Sequence, residues 1–179
     1  MGKRILASLI VLVAGSCSER PKAPPLVAEP VYQNDDVGLR FLVPQGWPLQ
    51  SRAILPRGPL PRAIVLVAYA RSGGGWPAEF KVLVADLPSD TDLAKFLTEY
   101  RVGREEWTLA EPPKNVVVNG TAATRLVLAR REGNEEIRRE AMVFRRGERC
   151  FFFLLTCPSS EPTTLDLVHS SIESITWSN

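Results

Sequence analysis

The run RCFFFLLTC, residues 149–157, is apolar at every position from Cys150 to Leu155. A strand with one wet face alternates apolar and polar side chains, so a strand apolar at consecutive positions needs cover on both faces. That places this segment centrally in a sheet. The residues before it supply its neighbours. Asn119-Gly120 and Gly133-Asn134 are two-residue hairpin signals and Arg146-Gly147 is a third. They divide the chain into strands at roughly 115–118, 121–131, 136–145 and 149–156, a meander in which each strand turns back on the last.

Working outward, Val37 to Pro44 reads as a strand leading into the turn Gln45-Gly46 before Trp47. Ile64 to Ala70 and Glu79 to Ala85 read as two more, joined by the glycine-rich turn Ser72 to Trp76. Leu93, Phe96, Leu97 and Tyr100 then share one helical face; Ser89 stands three before Asp92 in capping-box spacing, and Gly103 ends the helix. Ser160 and Pro162 open a second helix with Leu165, Val168, Ile172 and Ile175 on one side. Trp47, Trp107 and Trp177 are candidate core residues, and no internal repeat is present. The pattern predicts a single α+β domain, a curved antiparallel sheet of about six to seven strands covered by helices.

Cys150 and Cys157 invite a disulfide reading, which the strand opposes. Seven residues of extended chain hold their Cα atoms about 23 Å apart, and a bridge needs less than about 7 Å. Two buried free thiols are expected.

The first twenty residues, MGKRILASLIVLVAGSCSER, pass from Lys3 and Arg4 through an apolar stretch to Ala14, Gly15, Ser16 and Cys17. This is the layout of a signal peptide. Residues 5–16 would make a helix of about 18 Å against about 30 Å of hydrocarbon, too short to span. The small-small-Cys ending resembles the lipobox of bacterial lipoproteins, although Ala14 stands where that family usually carries Leu. The resemblance implies cleavage before Cys17, lipid on its thiol and, from Ser18, the outer membrane. Lipid chains at about 0.8 kcal/mol per buried CH₂ anchor a protein without a further membrane segment. Residues 1–16 are then the signal peptide. Residues 17–31 are a proline-rich tether and residues 32–179 the domain. Losing Lys3 and Arg4 takes the 22 basic residues to 20 against 20 acidic. A balanced chain has no broad basic field for nucleic acid.

GLRFLVPQGW, the helix after two strands, NGTAATRLVLAR with its charged hairpin, and the late helix ending in SITW together resemble the PsbP-like group over residues 32–179. That group includes the photosystem II extrinsic protein PsbP, DcrB and other bacterial lipoproteins. The resemblance implies an α/β/α sandwich and a non-catalytic accessory or binding role, with no catalytic motif to carry over.

The residues themselves point to no catalytic set. His169, the sole histidine, sits on the last helix near Asp166 and Ser170, and adjacency along a helix does not make a triad. One histidine and two cysteines on opposite strand faces cannot supply the three or four ligands of a zinc site, and no cofactor is expected. Ser72 to Trp76 lacks the Lys-Ser/Thr of a phosphate loop and opens a strand. Trp76 is either an exposed contact or folded onto the sheet. The most distinctive feature is Arg130, Arg131, Arg138, Arg139, Arg145, Arg146 and Arg149 interleaved with glutamates. Gathered on one face they would bind an anionic lipid, glycan or acidic partner; as cross-strand ion pairs they would be solvated surface. Ile54, Leu55 and Leu60, in the proline loop 48–61, either bind a partner or pin that loop. The function expected is a lipid-anchored, extracytoplasmic, non-catalytic module contacting an envelope protein, with a carrier of a small amphipathic ligand as the alternative and an unidentified enzyme third.

Overall fold

Side chains of a strand alternate between faces, and β8 (Arg149–Pro158) packs with both. Phe151, Phe153, Leu155 and Cys157 enter one core, while Cys150, Phe152 and Leu154 enter another. The computed structural model describes residues 30–49, 64–73, 78–99 and 106–178, and in it β8 is an inner strand of a six-stranded sheet. The order is β3 (Ile64–Arg71), β4 (Glu79–Asp86), β8, β7 (Glu135–Arg146), β6 (Thr121–Glu132) and β5 (Thr108–Val118). All neighbours are antiparallel. Cys150 and Cys157 are buried free thiols on opposite faces, and burial pushes Cys157 up to about 11.

The two faces are covered differently. Over the first lies α2 (Pro162–Glu173) with a small sheet of β1 (Val31–Asn34), β2 (Leu39–Leu42) and β9 (Thr176–Trp177). Phe153 stands at the centre of that core, edge-on to Phe41 at 5.7 Å and Phe144 at 5.5 Å between ring centroids. The end of β2 is closed by α2: Ser171 Oγ donates to the carbonyl of Leu42, and Ser174 Oγ accepts from its N–H at 2.7 Å. Backbone groups leaving a ladder are thus satisfied without water. Over the second face lies α1 (Leu93–Glu99), whose Leu97 is buried and whose Phe96 stacks on Phe152 at 5.3 Å.

Four details depart from the sequence reading. The nine strands among the described residues form two sheets, six and three, because β1 (Val31–Asn34), not read as a strand from the sequence, pairs with the segment read as Val37 to Pro44, which is trimmed to Leu39–Leu42 by the turn at Gly38. Gly38 sits at φ +64°, and a Cβ there would lie 2.9 Å from the Ser178 carbonyl; only glycine makes that turn from β1 into β2. β5 starts at Thr108 rather than near 115 and runs through Pro112 and Pro113, which an edge strand tolerates, with register shifts on either side of Glu111. The cap of α1 is Asp92, whose Oδ1 accepts from Lys95 N at 3.0 Å. Ser89 falls in the turn before it, closed by Thr91 N on the Pro88 carbonyl. The N-cap of α2 is Glu161, with no side-chain capping bond, rather than Ser160. Tyr100 and Gly103 lie outside the described residues.

Phe153→Ala is expected to cost about 3–5 kcal/mol in urea unfolding, since the cavity opens where three other phenylalanines meet. Leu167→Ala, on the outer side of α2, should stay within about 0.5 kcal/mol.

Candidate functional site

The charged residues of the meander separate by strand parity. Arg138, Glu140 and Arg146 of β7 face α2, and Arg139 and Arg145 face α1. The arginines therefore do not share one face.

On the α2 side Glu140 is 4 % exposed and sits among cations. Arg125 grips it with both nitrogens, Nε to Oε1 at 2.8 Å and Nη2 to Oε2 at 2.9 Å. Arg138 Nη2 donates to Oε2 at 3.2 Å, and His169 Nε2 of α2 meets Oε1 at 2.8 Å. Glu111 of β5 accepts from Arg125, Arg138 and Lys114. Burial alone would raise the Glu140 carboxyl; hydrogen bonds and charge from His169 and Arg125 outweigh it and hold the group at about 2. His169 is pushed up by the Glu140 hydrogen bond, against its own burial. The imidazole is a clamp between α2 and the sheet, and its carboxylate partner is Glu140, not the neighbouring Asp166.

On the α1 side Arg139 and Arg130 lie 4.0 and 5.1 Å from the ring of the buried Trp107. Arg139 Nε also donates to Thr156 Oγ1 at 3.0 Å. Nearby, Lys81 bonds Glu79 at 2.6 Å and Tyr69 donates to the same carboxylate at 2.8 Å. Burial would raise Glu79, and the charge and hydrogen bond of Lys81 bring it below its ordinary range. Arg149 pairs with Asp86 at 3.0 Å, and Arg146 lies 5.1 Å from the Trp177 ring. Among the described residues, no group of three or more His, Cys, Asp or Glu side chains could hold a metal ion, and no helix is long and apolar enough to cross a membrane. Cys17, Ile54, Leu55, Leu60 and Trp76 lie outside the described residues.

Arg145 is the exception in this set. It borders a cleft of about 570 Å³ on the α1 face, lined by Leu93, Val117, Ala122, Thr124 and Val143 among others. The cleft has two local causes. A seven-residue helix is only about 10 Å long, while the 12 residues of β6 and of β7 run about 40 Å. Where α1 stops, the sheet presents Ala122 and Thr124, side chains too short to fill the space. Val117 forms the outer wall and is 73 % exposed. Sequence reasoning singled out Arg145 but not the wall or the floor; the available signal was Thr121-Ala122-Ala123-Thr124, a run of small side chains opening a long strand. A second opening, about 610 Å³ at the β7–β8 turn, is lined mainly by charges already engaged, Arg149 with Asp86 and Arg146 on Trp177.

This architecture defines a class by fold: a PsbP-like α+β sandwich. CyanoP, the cyanobacterial PsbP of Synechocystis sp. PCC 6803, superposes with a TM-score of 0.57 at 16% identity, over 83% of this chain and 91% of that one. A Bacteroides thetaiotaomicron protein superposes with a TM-score of 0.52 at 10% identity, over 79% of this chain and 46% of the other. No family model and no curated protein matches the sequence. At such identities the likeness is one of fold alone, and that fold is the one its sequence resembles.

Glu140→Gln should cost about 3 kcal/mol in urea unfolding, because it strips a buried carboxylate from Arg125 and Arg138. The pH dependence has two limbs. The folded pKa of His169 is raised, so its contribution is full below the ordinary 6.5 and fades as pH rises through the folded value. The folded pKa of Glu140 is depressed, so its contribution is present above 4.5 and lost as pH falls towards about 2. His169→Gln should flatten the upper limb and shrink the acid limb without abolishing it, because Arg125 still holds the Glu140 carboxylate, read as urea midpoints from pH 3 to pH 9.

Proposed function

We propose that this chain is a lipid-anchored envelope protein that acts by binding. Cys17 holds it on a membrane, most simply the periplasmic face of the outer membrane, and the domain presents its α1 face to another envelope component. The observation that carries this reading is the cleft bordered by Arg145: an open, largely apolar recess of about 570 Å³ on a face that α1 only partly covers. The groups with shifted pKa values support binding over catalysis. Glu140, His169 and Glu79 are each occupied by an internal partner, as structural ion pairs are. A PsbP-like fold is compatible with an accessory module of this kind.

A second reading, a carrier of a small amphipathic ligand, is favoured by the cleft volume, which lies within the roughly 300–1,000 Å³ of small-molecule sites.

A photo-crosslinking residue placed at Val117 in the native host separates the two. A protein adduct formed from Val117 and absent from Leu167, on the opposite side of the sheet, supports the binding module; a lipid adduct with the same position dependence supports the carrier. Equal labelling from both positions, or none, overturns the cleft as the contact surface. Labelled palmitate should enter the protein and be lost in Cys17→Ser.

A further inference from the structure

Taking the cleft as the contact surface, the chemistry of its lining goes further and specifies an occupant. We infer that it takes a single-chain amphiphile with an anionic head, the chain lying over Val117, Ala122, Thr124 and Val143 and the head meeting Arg145.

The lining carries one charged side chain, Arg145; the rest of it is apolar apart from the neutral Asn115 and Thr124. Arg145 also differs from the other arginines near it. Arg125 and Arg138 share Glu140, and Arg149 holds Asp86. Arg145 has no carboxylate partner among the described residues. Its bonds are Nη1 to the carbonyls of Leu87 at 3.1 Å and Pro88 at 2.8 Å. Those two bonds fix one corner of the guanidinium and leave Nε and Nη2 without a partner among the described residues. A pinned guanidinium with two free donors suits a carboxylate or a phosphate, both of which accept paired N–H bonds. The apolar end supplies the complementary need. Val117 is wet without a ligand, and an alkyl chain laid against it removes apolar surface from water on both partners. Arg146 likewise lacks a carboxylate partner among the described residues, bonding the Ser178 carbonyl and lying over Trp177; what sets Arg145 apart is that its open nitrogens stand at the end of an otherwise uncharged recess. The head could be the carboxylate of a free fatty acid or the phosphate of a lysophospholipid, and Arg145 serves either.

The test uses the mature chain with Cys17→Ser, which carries no lipid and needs no detergent. Octanoate, decanoate, dodecanoate, dodecyl phosphate and the uncharged dodecyl maltoside are titrated below their micelle concentrations, followed by calorimetry and amide chemical shifts. Affinity should rise by up to about fourfold for each methylene buried from octanoate to dodecanoate. Arg145→Gln should weaken dodecanoate and dodecyl phosphate at least tenfold while changing dodecyl maltoside less than twofold. Ala122→Trp, which fills the recess from an exposed position, should remove binding of all three. Val117→Asp should weaken the two anions selectively, providing an independent variant should the tryptophan disturb the strand. Tighter dodecanoate points to a fatty acid and tighter dodecyl phosphate to a phospholipid head, and either supports the inference. Absence of saturable binding, an equal effect of Arg145→Gln on charged and uncharged chains, or unchanged binding in both cleft variants overturns it. A protein adduct from Val117 with no amphiphile binding would leave the cleft as a contact surface and sink only this assignment of its occupant.

Discussion

The double-sided burial of β8 is the constraint from which the architecture follows. A strand with Phe151 and Phe153 on one side and Phe152 and Leu154 on the other cannot lie at an edge or face water. Each face must then find a layer, and the chain has only two helices among its described elements. One is the 12-residue α2, helped by the small three-stranded sheet; the other is the seven-residue α1. The difference in cover between the two faces is therefore set by element lengths rather than by any special residue.

Glu140 shows how charge is carried inside that frame. A carboxylate exposed by only 4 % would be strongly destabilising alone. Here two arginines come from adjacent strands and a histidine from the helix packed above, so one group ties β6, β7 and α2 together. Such pairs add little stability over an apolar substitute. What they do supply is registry, because the bidentate Arg125 bond forms only when β6 and β7 are paired at Val127↔Glu140. The charged meander thus acts as an alignment device on one face and an aromatic–cation stack on the other.

Much of this was legible in sequence because it is local. The hairpin dipeptides fixed three turns, and Asn119 and Gly120 do lie at positive φ as such a turn requires. The consecutive apolar run located the central strand, and that strand in turn kept the two thiols apart. What escaped is non-local. β1, β2 and β9 form a separate sheet through pairings between opposite ends of the domain, such as Leu39↔Trp177. The sequence pattern starts β5 near 115, short of its prolines, because edge position, which lets a strand carry proline, is a property of the sheet and not of the strand. Glu140 sits in an alternating charged run and resembles surface; its partner His169 is 29 residues further on. The cleft was least visible of all, being defined by side chains too small and a helix too short to fill a space.

Arg145 joins these two accounts. The carbonyls that hold its guanidinium, Leu87 and Pro88, belong to the link between β4 and α1, immediately before the turn that Asp92 caps. The same link therefore seats the helix that bounds the cleft and aims the charge at its end. Leu87 is also tied to the β7–β8 turn by its N–H to the Glu148 carbonyl at 2.7 Å, so the link is braced from the central hairpin of the sheet. A site built this way is preorganised at its charged end and soft at its apolar end. Arg145 is fixed by backbone bonds, whereas Val117 stands on an edge strand whose register shifts at Glu111. Edge strands with bulges and exposed apolar side chains open at lower free energy than central ones. The apolar wall can thus adapt to chain length while the head group is read at a fixed point, a division of labour that suits a ligand class whose heads are alike and whose tails vary.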